Sequence, residues 1–340
     1  MKKRNIVAII ITVVLIALIL HKIVWHELLQ TFKLFDLKNL IPIALMYALA
    51  LYLRGARWKI LLMNDPKYSS HNLGEIFIAG SFLNAILPAR AGDLYRAYYL
   101  GQVKKEKKMK IFGSIILERA FDGFTMFLIL FAAVILYCRQ QWILNITYAT
   151  GGLFLGCMLF FYLIFKFNKV NWICDKFISL WKKFPEKCSN VLVNITEKVC
   201  RYSNEFIEGL EVLNSFKYTA LTFLWSIIIW GLECYTAYMI VASFDLGLGF
   251  AAGMFVISLT SFSTMIPSTS VFLGPYQYAY ILALGIFGID KSAALAVSTV
   301  HQAILIMVLA IVGGILLLKF NSDMKFFNKN SNENNKESSN

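Results

Sequence analysis

The chain has 340 residues, of which 58% are hydrophobic and only 16% are charged. A soluble domain carries about 25% charged residues, so this composition excludes a soluble globular protein and predicts a multi-pass membrane protein. Lys and Arg outnumber Asp and Glu by 33 to 20, which gives a net charge of +13. In a membrane protein this excess is typical of cytoplasmic loops that face anionic lipid, and we expect no nucleic-acid partner.

Six apolar runs predict transmembrane helices. Lys2, Lys3 and Arg4 precede the first run, 6–20, but no small-residue cleavage site follows it, so we expect an uncleaved helix rather than a signal peptide. The other runs have the roughly 20 residues that one crossing requires. They are 40–62, 111–137, 143–166, 217–242 and 292–318.

Two further apolar stretches, 73–88 and 250–288, do not fit a simple crossing. The first is too short to cross and return, and the second is interrupted by Pro267 and by Gly274-Pro275. Broken backbone at membrane depth is tolerated only inside the protein or beside a wet cavity. We therefore predict two re-entrant hairpins.

Basic residues are distributed unevenly between the loops. Seven lie in 89–110 and nine in 166–217, whereas 21–39 has three. Because basic loops face the cytoplasm, we predict that both termini are cytoplasmic. The hairpin at 73–88 then enters from the inside, and the hairpin at 250–288 enters from the outside.

A local pattern is repeated in the two hairpins. The sequence from Ser81 to Pro88 resembles the sequence from Ser261 to Pro267, and the first residues are 180 positions apart. Each hairpin lies between two long spans, and the predicted orientations are opposite. The sequence thus predicts an all-α integral membrane protein with about six full transmembrane helices plus two re-entrant hairpins in an inverted repeat, with units at about 40–137 and 217–318.

Two polar regions lie outside the predicted repeat units. Residues 167–216 mix aromatic residues with lysines, which predicts amphipathic helices on the inner membrane surface. Residues 321–340 are rich in Asn, Ser and Lys, so we predict a disordered cytoplasmic tail.

Charged residues after the first hairpin form the first candidate site. Pro88 suits a helix start, and Arg90, Asp93 and Arg96 then fall three apart, near one helical face. The arginine fork matches a phosphate, and the positive end of a helix attracts anions. The cluster predicts a lipid phosphate site at the mouth of the cytoplasmic hairpin, while positive-inside anchoring with an Asp–Arg pair explains the spacing equally well.

Charged residues within the apolar spans form three more candidate groups, because each costs about 3 kcal/mol at the bilayer centre unless it is paired or hydrated. A Glu–Arg–x–x–Asp sequence in span 111–137 predicts either a proton relay or a structural ion-pair network. Two arginines at the end of span 40–62 predict a ligand site or an interfacial belt. An acid in span 217–242 and a histidine in the last span predict a pair, either a proton relay or a structural hydrogen bond. These residues are Glu118, Arg119 and Asp122; Arg54 and Arg57; and Glu233 and His301.

Several motifs are missing from the sequence. We find no Walker loop, no Gly-rich dinucleotide turn, no H-E-x-x-H and no Cys/His metal spacing. We therefore expect no cofactor and no metal, and an ATP-driven pump is disfavoured.

Three motifs occur together in the order and spacing of a known family. R-G-x-R-W begins at Arg54, N-x-x-L-P-A-R-A-G-D-L-x-R-A begins at Asn84, and L-E-R-x-x-D begins at Leu117. The chain resembles the lysylphosphatidylglycerol synthase transmembrane-region family, a flippase-like group also called the uncharacterised 0104 membrane family, over roughly residues 5–320. The resemblance implies a polytopic flippase-like domain over 1–320, in the plasma (inner) membrane of a bacterium or archaeon, that acts on lipids.

The resemblance also bears on partners and on the second hairpin. Larger members fuse a similar region to a soluble aminoacyl-transferase domain, and some archaeal relatives fuse it to a glycosyltransferase. We see neither domain here, so we expect a separate enzyme partner, if one is used, and no aminoacyl transfer. Many members have P-G-G-x-G-x-x-E in the second hairpin, whereas this chain has Gln277 at the acid's position. Any proton coupling would then fall to Glu233 and His301.

We predict a translocase that moves an anionic lipid, either a phospholipid or a polyprenyl-phosphate-linked glycan, between leaflets. The alternative is a membrane-embedded enzyme or accessory subunit of lipid-linked glycan or aminoacyl-lipid synthesis, and a third hypothesis is a carrier of water-soluble substrates. The lipid, the energy source and the oligomeric state are left open. The predicted phosphate ligands are Arg90, Arg96, Arg54 and Arg57; the charge or gating network is Asp93, Glu118, Arg119, Asp122, Glu233 and His301; the structural hairpin residues are Asn84, Pro88, Gly92, Pro267, Gly274, Pro275 and Gln277.

Overall fold

The computed structural model describes residues 33–87, 90–137, 140–264 and 274–320. The predicted span 6–20, Pro88, Pro267 and the predicted tail 321–340 lie outside the described residues. Within those ranges the chain is helical and has no strand. The α-helices are α1 Leu40–Leu61, α2 Ser70–Ile86, α3 Ala91–Val103, α4 Lys108–Tyr137, α5 Gln141–Phe167, α6 Val170–Trp181, α7 Glu186–Glu208, α8 Phe216–Ala242, α9 Phe250–Ser263, α10 Pro275–Gly285 and α11 Lys291–Val308.

Among the described residues, five helices are long and apolar enough to cross a membrane. They match five of the six predicted spans, and the sixth lies outside the described ranges. Large apolar side chains on their outer faces, such as Leu45, Phe131 and Leu159, are exposed, as lipid-facing positions require. The chain is therefore an all-α membrane protein. The five helices are Leu37–Leu61, α4, α5, α8 and Lys291–Phe320, which continues α11 through a π-helical turn.

The hairpin predicted within 73–88 is wrong in its bounds. Residues 70–86 form the single helix α2, and the returning arm is α3. The chain leaves the helix at Leu87, whose backbone is extended (φ −104°, ψ 143°), because the residue before a proline disfavours the α conformation. In the second stretch, 250–288, the described residues form the helices α9 and α10, which we call the arms of the second hairpin. Its re-entrant position stays a prediction.

The arms of the first hairpin meet at two glycines. A Cβ on Gly92 would lie 1.8 Å from the carbonyl oxygen of Gly80, so only glycine permits this approach of α3 to α2. The crossing of α1 and α2 is similar, since a Cβ on Gly55 would lie 2.2 Å from the backbone nitrogen of Gly74. Gly92 therefore permits the close packing of α3 against α2.

Gly92→Ala should lower the melting temperature of the purified protein. The added methyl group forces α3 away from α2, and overpacking of this kind costs about 1–3 kcal/mol. Gly156→Ala is the matched control, because nothing lies within 4 Å of a Cβ at Gly156. Equal melting temperatures for Gly92→Ala and Gly156→Ala would contradict the close contact.

The helices form two units with the same order of elements. A long helix, two short helices and another long helix make up α1–α4, and the same order recurs in α8–α11. Two buried hydrophobic clusters hold these helices together. Trp58 and Leu100 belong to the cluster built mainly by the first unit. Phe255 and Tyr280 belong to the other, which also includes Leu130 of α4 and so joins the two units.

The first helices of the two units, α1 and α8, run antiparallel. The backbone N–H of Asp36 donates to Ser243 at the end of α8, whereas Arg57, near the end of α1, contacts Ser226 in the first half of α8. Equivalent helices of an inverted repeat must run in opposite directions, as these two do.

Between the units, α6 and α7 form an amphipathic pair. Each exposes an apolar stripe at helical spacing, for example Phe177 and Leu180 on α6 and Ile195 and Val199 on α7. Both helices lie within 167–216, and their position on the inner membrane surface stays a prediction.

Candidate functional site

Glu118 on α4 lies at the centre of a buried ion-pair network. Its carboxylate accepts from Arg57 at 3.0 Å and from Arg96 at 2.7 Å, and all three side chains are at most 1% exposed. The guanidinium of Arg96 also stacks over Trp58 and Phe77, at 4.1 and 4.4 Å from the ring centroids. This carboxylate therefore joins α1, α3 and α4.

Asp122, one turn after Glu118, extends the network to α8. Its Oδ1 accepts from Arg57 at 2.5 Å and from the indole N–H of Trp230 at 2.8 Å. Its Oδ2 lies 3.4 Å from Arg54. Glu118 and Asp122 thus share a helix face, as their spacing of four predicted, and Arg57 binds both carboxylates.

Arg54 connects the network to Glu233. The two side chains form an ion pair at 2.5 Å, and the guanidinium of Arg54 lies 4.4 Å from the ring of Trp230. Ser226, Trp230 and Glu233 are spaced four and three apart, so they share the face of α8 that meets α1. We did not single out Ser226 or Trp230 from the sequence, although their spacing from Glu233 was a signal for both.

In the first hairpin, Asp93 connects the two arms to α4. The amide of Asn84 donates to Asp93 at 3.0 Å, and the backbone N–H of Asp93 donates back to Asn84 at 3.3 Å. Arg119 binds the same carboxylate at 2.8 Å. Asn84 is therefore a structural hairpin residue, as predicted, and Asp93 binds Arg119 more closely than Arg96, which is 3.7 Å away.

Arg90 differs from the other predicted arginines. It precedes α3 in the left-handed conformation (φ 53°, ψ 44°) and is half-buried. Among the described residues it has no ion pair, whereas Arg54, Arg57, Arg96 and Arg119 all have one. It lies between the end of α2 and the start of α3, at the tip that joins the two arms.

A cavity of about 250 Å³ lies between the two hairpins. Its lining includes the tip of the first hairpin, the end of α9, the start of α10, and faces of α1, α4, α8 and α11. The charged side chains in the lining are Arg54, Arg90, Arg119 and Glu233. The neutral polar and aromatic side chains include Ser81, Asn84, Thr264, Gln302, Tyr47, Phe77, Trp230 and Tyr276.

The second hairpin contributes a capped helix start to this cavity. Gly274 has φ +90°, which favours glycine, and Pro275 occupies the first position of α10. The backbone N–H of Gly274 donates to the side chain of Gln277 at 2.8 Å, and the amide of Gln277 donates to Gln302 on α11. These contacts give Gly274, Pro275 and Gln277 structural roles in the hairpin.

The predicted pairing of Glu233 with His301 is wrong. Glu233 binds Arg54, whereas Nδ1 of His301 lies 3.2 Å from the hydroxyl of Tyr280. The rings of His301 and Tyr276 are 6.0 Å apart, edge to face. The sequence could not show whether Glu233 binds Arg54 or His301, because the contact between α1 and α8 joins residues that are far apart in the chain.

Arg57 and Arg96 do not line the cavity among the described residues. Each is ion-paired and at most 1% exposed. Their geometry fits a framework role better than the predicted role of phosphate ligands. In the part of the chain that the structure describes, no group of His, Cys, Asp and Glu could hold a metal ion.

Comparison with known sequences assigns the chain to a family. The model of the lysylphosphatidylglycerol synthase transmembrane region matches residues 5–313. The chain belongs to this family. This lysylphosphatidylglycerol synthase transmembrane-region protein is 30% identical over 240 residues to a UPF0104 membrane protein from Methanocaldococcus jannaschii, covering 69% of the chain and 92% of the relative. It is 25% identical over 339 residues to a UPF0104 membrane protein from Pyrococcus horikoshii, covering 94% and 97% of the two chains.

No solved structure matches this member of the family significantly. The family match and the apolar helices together make the chain a multi-pass membrane protein. The predicted family is thereby confirmed. The names of these relatives state no activity.

Proposed function

We propose that this chain translocates an anionic lipid between membrane leaflets and that Arg90 binds the lipid phosphate in the cavity between the hairpins. One observation carries the proposal: Arg90 is the arginine in the cavity lining that has no ion pair among the described residues. An arginine fork without a carboxylate partner offers its N–H donors to a phosphate in a two-pronged geometry.

The position of the cavity supports a transport role. Asn84 and Thr264 occupy equivalent places in the repeated pattern, 180 positions apart, and both line the cavity. Arg54 and Glu233 are 179 positions apart and pair across the antiparallel helices α1 and α8. An inverted repeat brings equivalent residues together near its axis, at the place where transporters of this type bind substrate.

The charged side chains of the network that do not line the cavity form ion pairs behind its lining. Glu118 and Asp122 both bind Arg57, and Glu118 also binds Arg96. Because Asp122 also accepts from Trp230 on α8, these contacts join α1, α3, α4 and α8 behind the lining. In the proposed cycle the hairpins alternate as inner and outer gates, and because α3 belongs to the first hairpin, its ion pairs with α4 exchange partners as that gate moves. The re-entrant position of the hairpins, the cytoplasmic termini and the plasma (inner) membrane are parts of the same proposal.

The paired state of the carboxylates argues against the enzymatic alternative. Asp93, Glu118, Asp122 and Glu233 each accept from an arginine. A general base must accept a proton from its substrate, and these carboxylates already accept hydrogen bonds from arginines. An accessory role beside a glycosyltransferase or aminoacyl-transferase would use the same lipid cavity and would show as a copurifying enzyme.

The proposal is tested by leaflet-resolved lipid movement. Purified protein is reconstituted in proteoliposomes with fluorescent phosphatidylglycerol or a fluorescent polyprenyl phosphate, and an impermeant quencher reports the lipid that remains in the outer leaflet. We expect the protein to speed movement of at least one lipid at least tenfold over protein-free vesicles. A second outcome is that both lipids move at the protein-free rate although the reconstituted protein keeps the melting temperature it had before reconstitution. This result would contradict translocation and favour the accessory role.

A further inference from the structure

Each charged side chain of the lining has an ion-pair partner among the described residues, with one exception. Arg54 and Glu233 form an ion pair at 2.5 Å, and Arg119 binds Asp93 at 2.8 Å. Arg90 is left with a positive charge and no ion pair among the described residues. The lining therefore has one binding charge to offer, and that charge suits a single phosphate.

The charges of the lining also disfavour a lipid with a cationic headgroup. Glu233 is the carboxylate in the described lining, and Arg54 already occupies it. An ammonium group, as in an ethanolamine or aminoacyl headgroup, would find no free carboxylate there. It would also meet the positive charge of Arg90, so like-charge repulsion would add to the cost of removing the ammonium group from water.

The remaining lining is mainly apolar, with several neutral polar groups among the apolar side chains. Tyr276 is only 7% exposed, and its hydroxyl has no hydrogen-bond partner among the described residues. A buried hydroxyl without a partner costs free energy, so a ligand that supplies the missing hydrogen bond is favoured. Ser81 and Thr264 add two further hydroxyls, and Tyr47 and Trp230 add aromatic surface.

We infer that the cavity takes a lipid whose phosphate is joined to a neutral, hydroxylated headgroup, with the hydroxyl of Tyr276 bonded to a headgroup hydroxyl and Arg90 bound to the phosphate. The inference rests on the proposed function and narrows its substrate. Two lipid classes share this chemistry: a phospholipid with a glycerol or inositol headgroup, and a polyprenyl phosphate that carries a hexose. A buried site of this kind rejects analogues that lack its hydrogen-bonding group.

Binding and movement are measured in parallel on the same purified chain. The lipids with a neutral hydroxylated headgroup are phosphatidylglycerol, phosphatidylinositol and a hexosyl-phosphoryl polyprenol. The probes with an ammonium group in the headgroup, called the cationic probes, are phosphatidylethanolamine and an aminoacylated phosphatidylglycerol. Binding is read by native mass spectrometry and movement by the leaflet assay. We expect at least tenfold tighter binding and faster movement for one of the first three lipids than for the two cationic probes. The lipid that binds most tightly shows whether the substrate is a phospholipid or a hexosyl-phosphoryl polyprenol.

Tyr276→Phe tests the headgroup contact, and Tyr278→Phe is its control. Tyr278 lies on the same helix but is 36% exposed and is not among the cavity-lining residues. We expect Tyr276→Phe to weaken binding of the preferred lipid about fivefold, the usual effect of one lost hydrogen bond. Binding of phosphatidic acid, which has no headgroup hydroxyl, should not change. An equal loss for phosphatidic acid would indicate a structural role for Tyr276 and overturn the contact.

The two readouts separate this inference from the proposed function. Tight, selective binding without movement would contradict translocation and leave the headgroup assignment intact. Equal or tighter binding of the cationic probes would overturn the headgroup assignment, whether or not lipid moves.

Discussion

Arg90→Ala is expected to reduce lipid movement in proteoliposomes by roughly ten- to a hundredfold, because the variant lacks the cation assigned to the phosphate. A hydrogen bond to a charged group contributes about 1.5–3 kcal/mol, which corresponds to this range. The melting temperature should stay close to that of the wild type, since Arg90 is half-buried and has no ion pair among the described residues. The leaflet assay and a thermal melt on the same preparation measure both quantities.

Two further variants sharpen this test. Arg90→Lys keeps the charge but loses the planar fork, so its rate should fall between those of Arg90→Ala and the wild type. Arg201→Ala removes an exposed arginine from α7, away from the cavity, and should leave the rate unchanged. A wild-type rate for Arg90→Ala would remove the phosphate site from the proposal.

The sequence predicted the long helices well because their signal is local. Runs such as 111–137 and 217–242 have the length and apolarity of a crossing, and the structure has α4 and α8 at those places. The bounds of the first hairpin were less predictable. The sequence marks the turn with Pro88, but an apolar stretch of 16 residues did not reveal that its return arm is the more polar helix α3, packed through Gly92.

In the site, too, contacts within one helix could be predicted from the sequence, whereas contacts between helices could not. Pairs within one helix follow from spacing, so Arg119 and Asp122 could be predicted and lie 3.8 Å apart. Pairs between helices depend on which faces meet, and the sequence does not state this. Glu233 was therefore assigned to His301 instead of Arg54, and Arg96 was assigned to phosphate although it is buried against Glu118.

Glu118→Gln is expected to destabilise the protein by about 3–5 kcal/mol, the cost typical of removing one partner from a buried ion pair. Glutamine fills nearly the same volume, so the change isolates the charge. It leaves Arg96, which is 1% exposed, without its nearest carboxylate, and Arg57 with Asp122 alone. The melting temperature should fall by several degrees.

A double variant tests whether the unpaired charge of Arg96 causes the loss of stability: the melting temperature should rise when this charge is removed as well. Arg96→Met in the Glu118→Gln background removes the stranded cation and keeps an unbranched apolar chain over Trp58 and Phe77, so it should recover part of the melting temperature. Glu197→Gln, at an exposed position on α7, is the control for the loss of a carboxylate and should melt like the wild type. If the double variant melts below Glu118→Gln, packing of Arg96 outweighs its charge. If Glu118→Gln itself melts like the wild type, the network does not stabilise the fold, and its four carboxylates would become candidates for chemistry again.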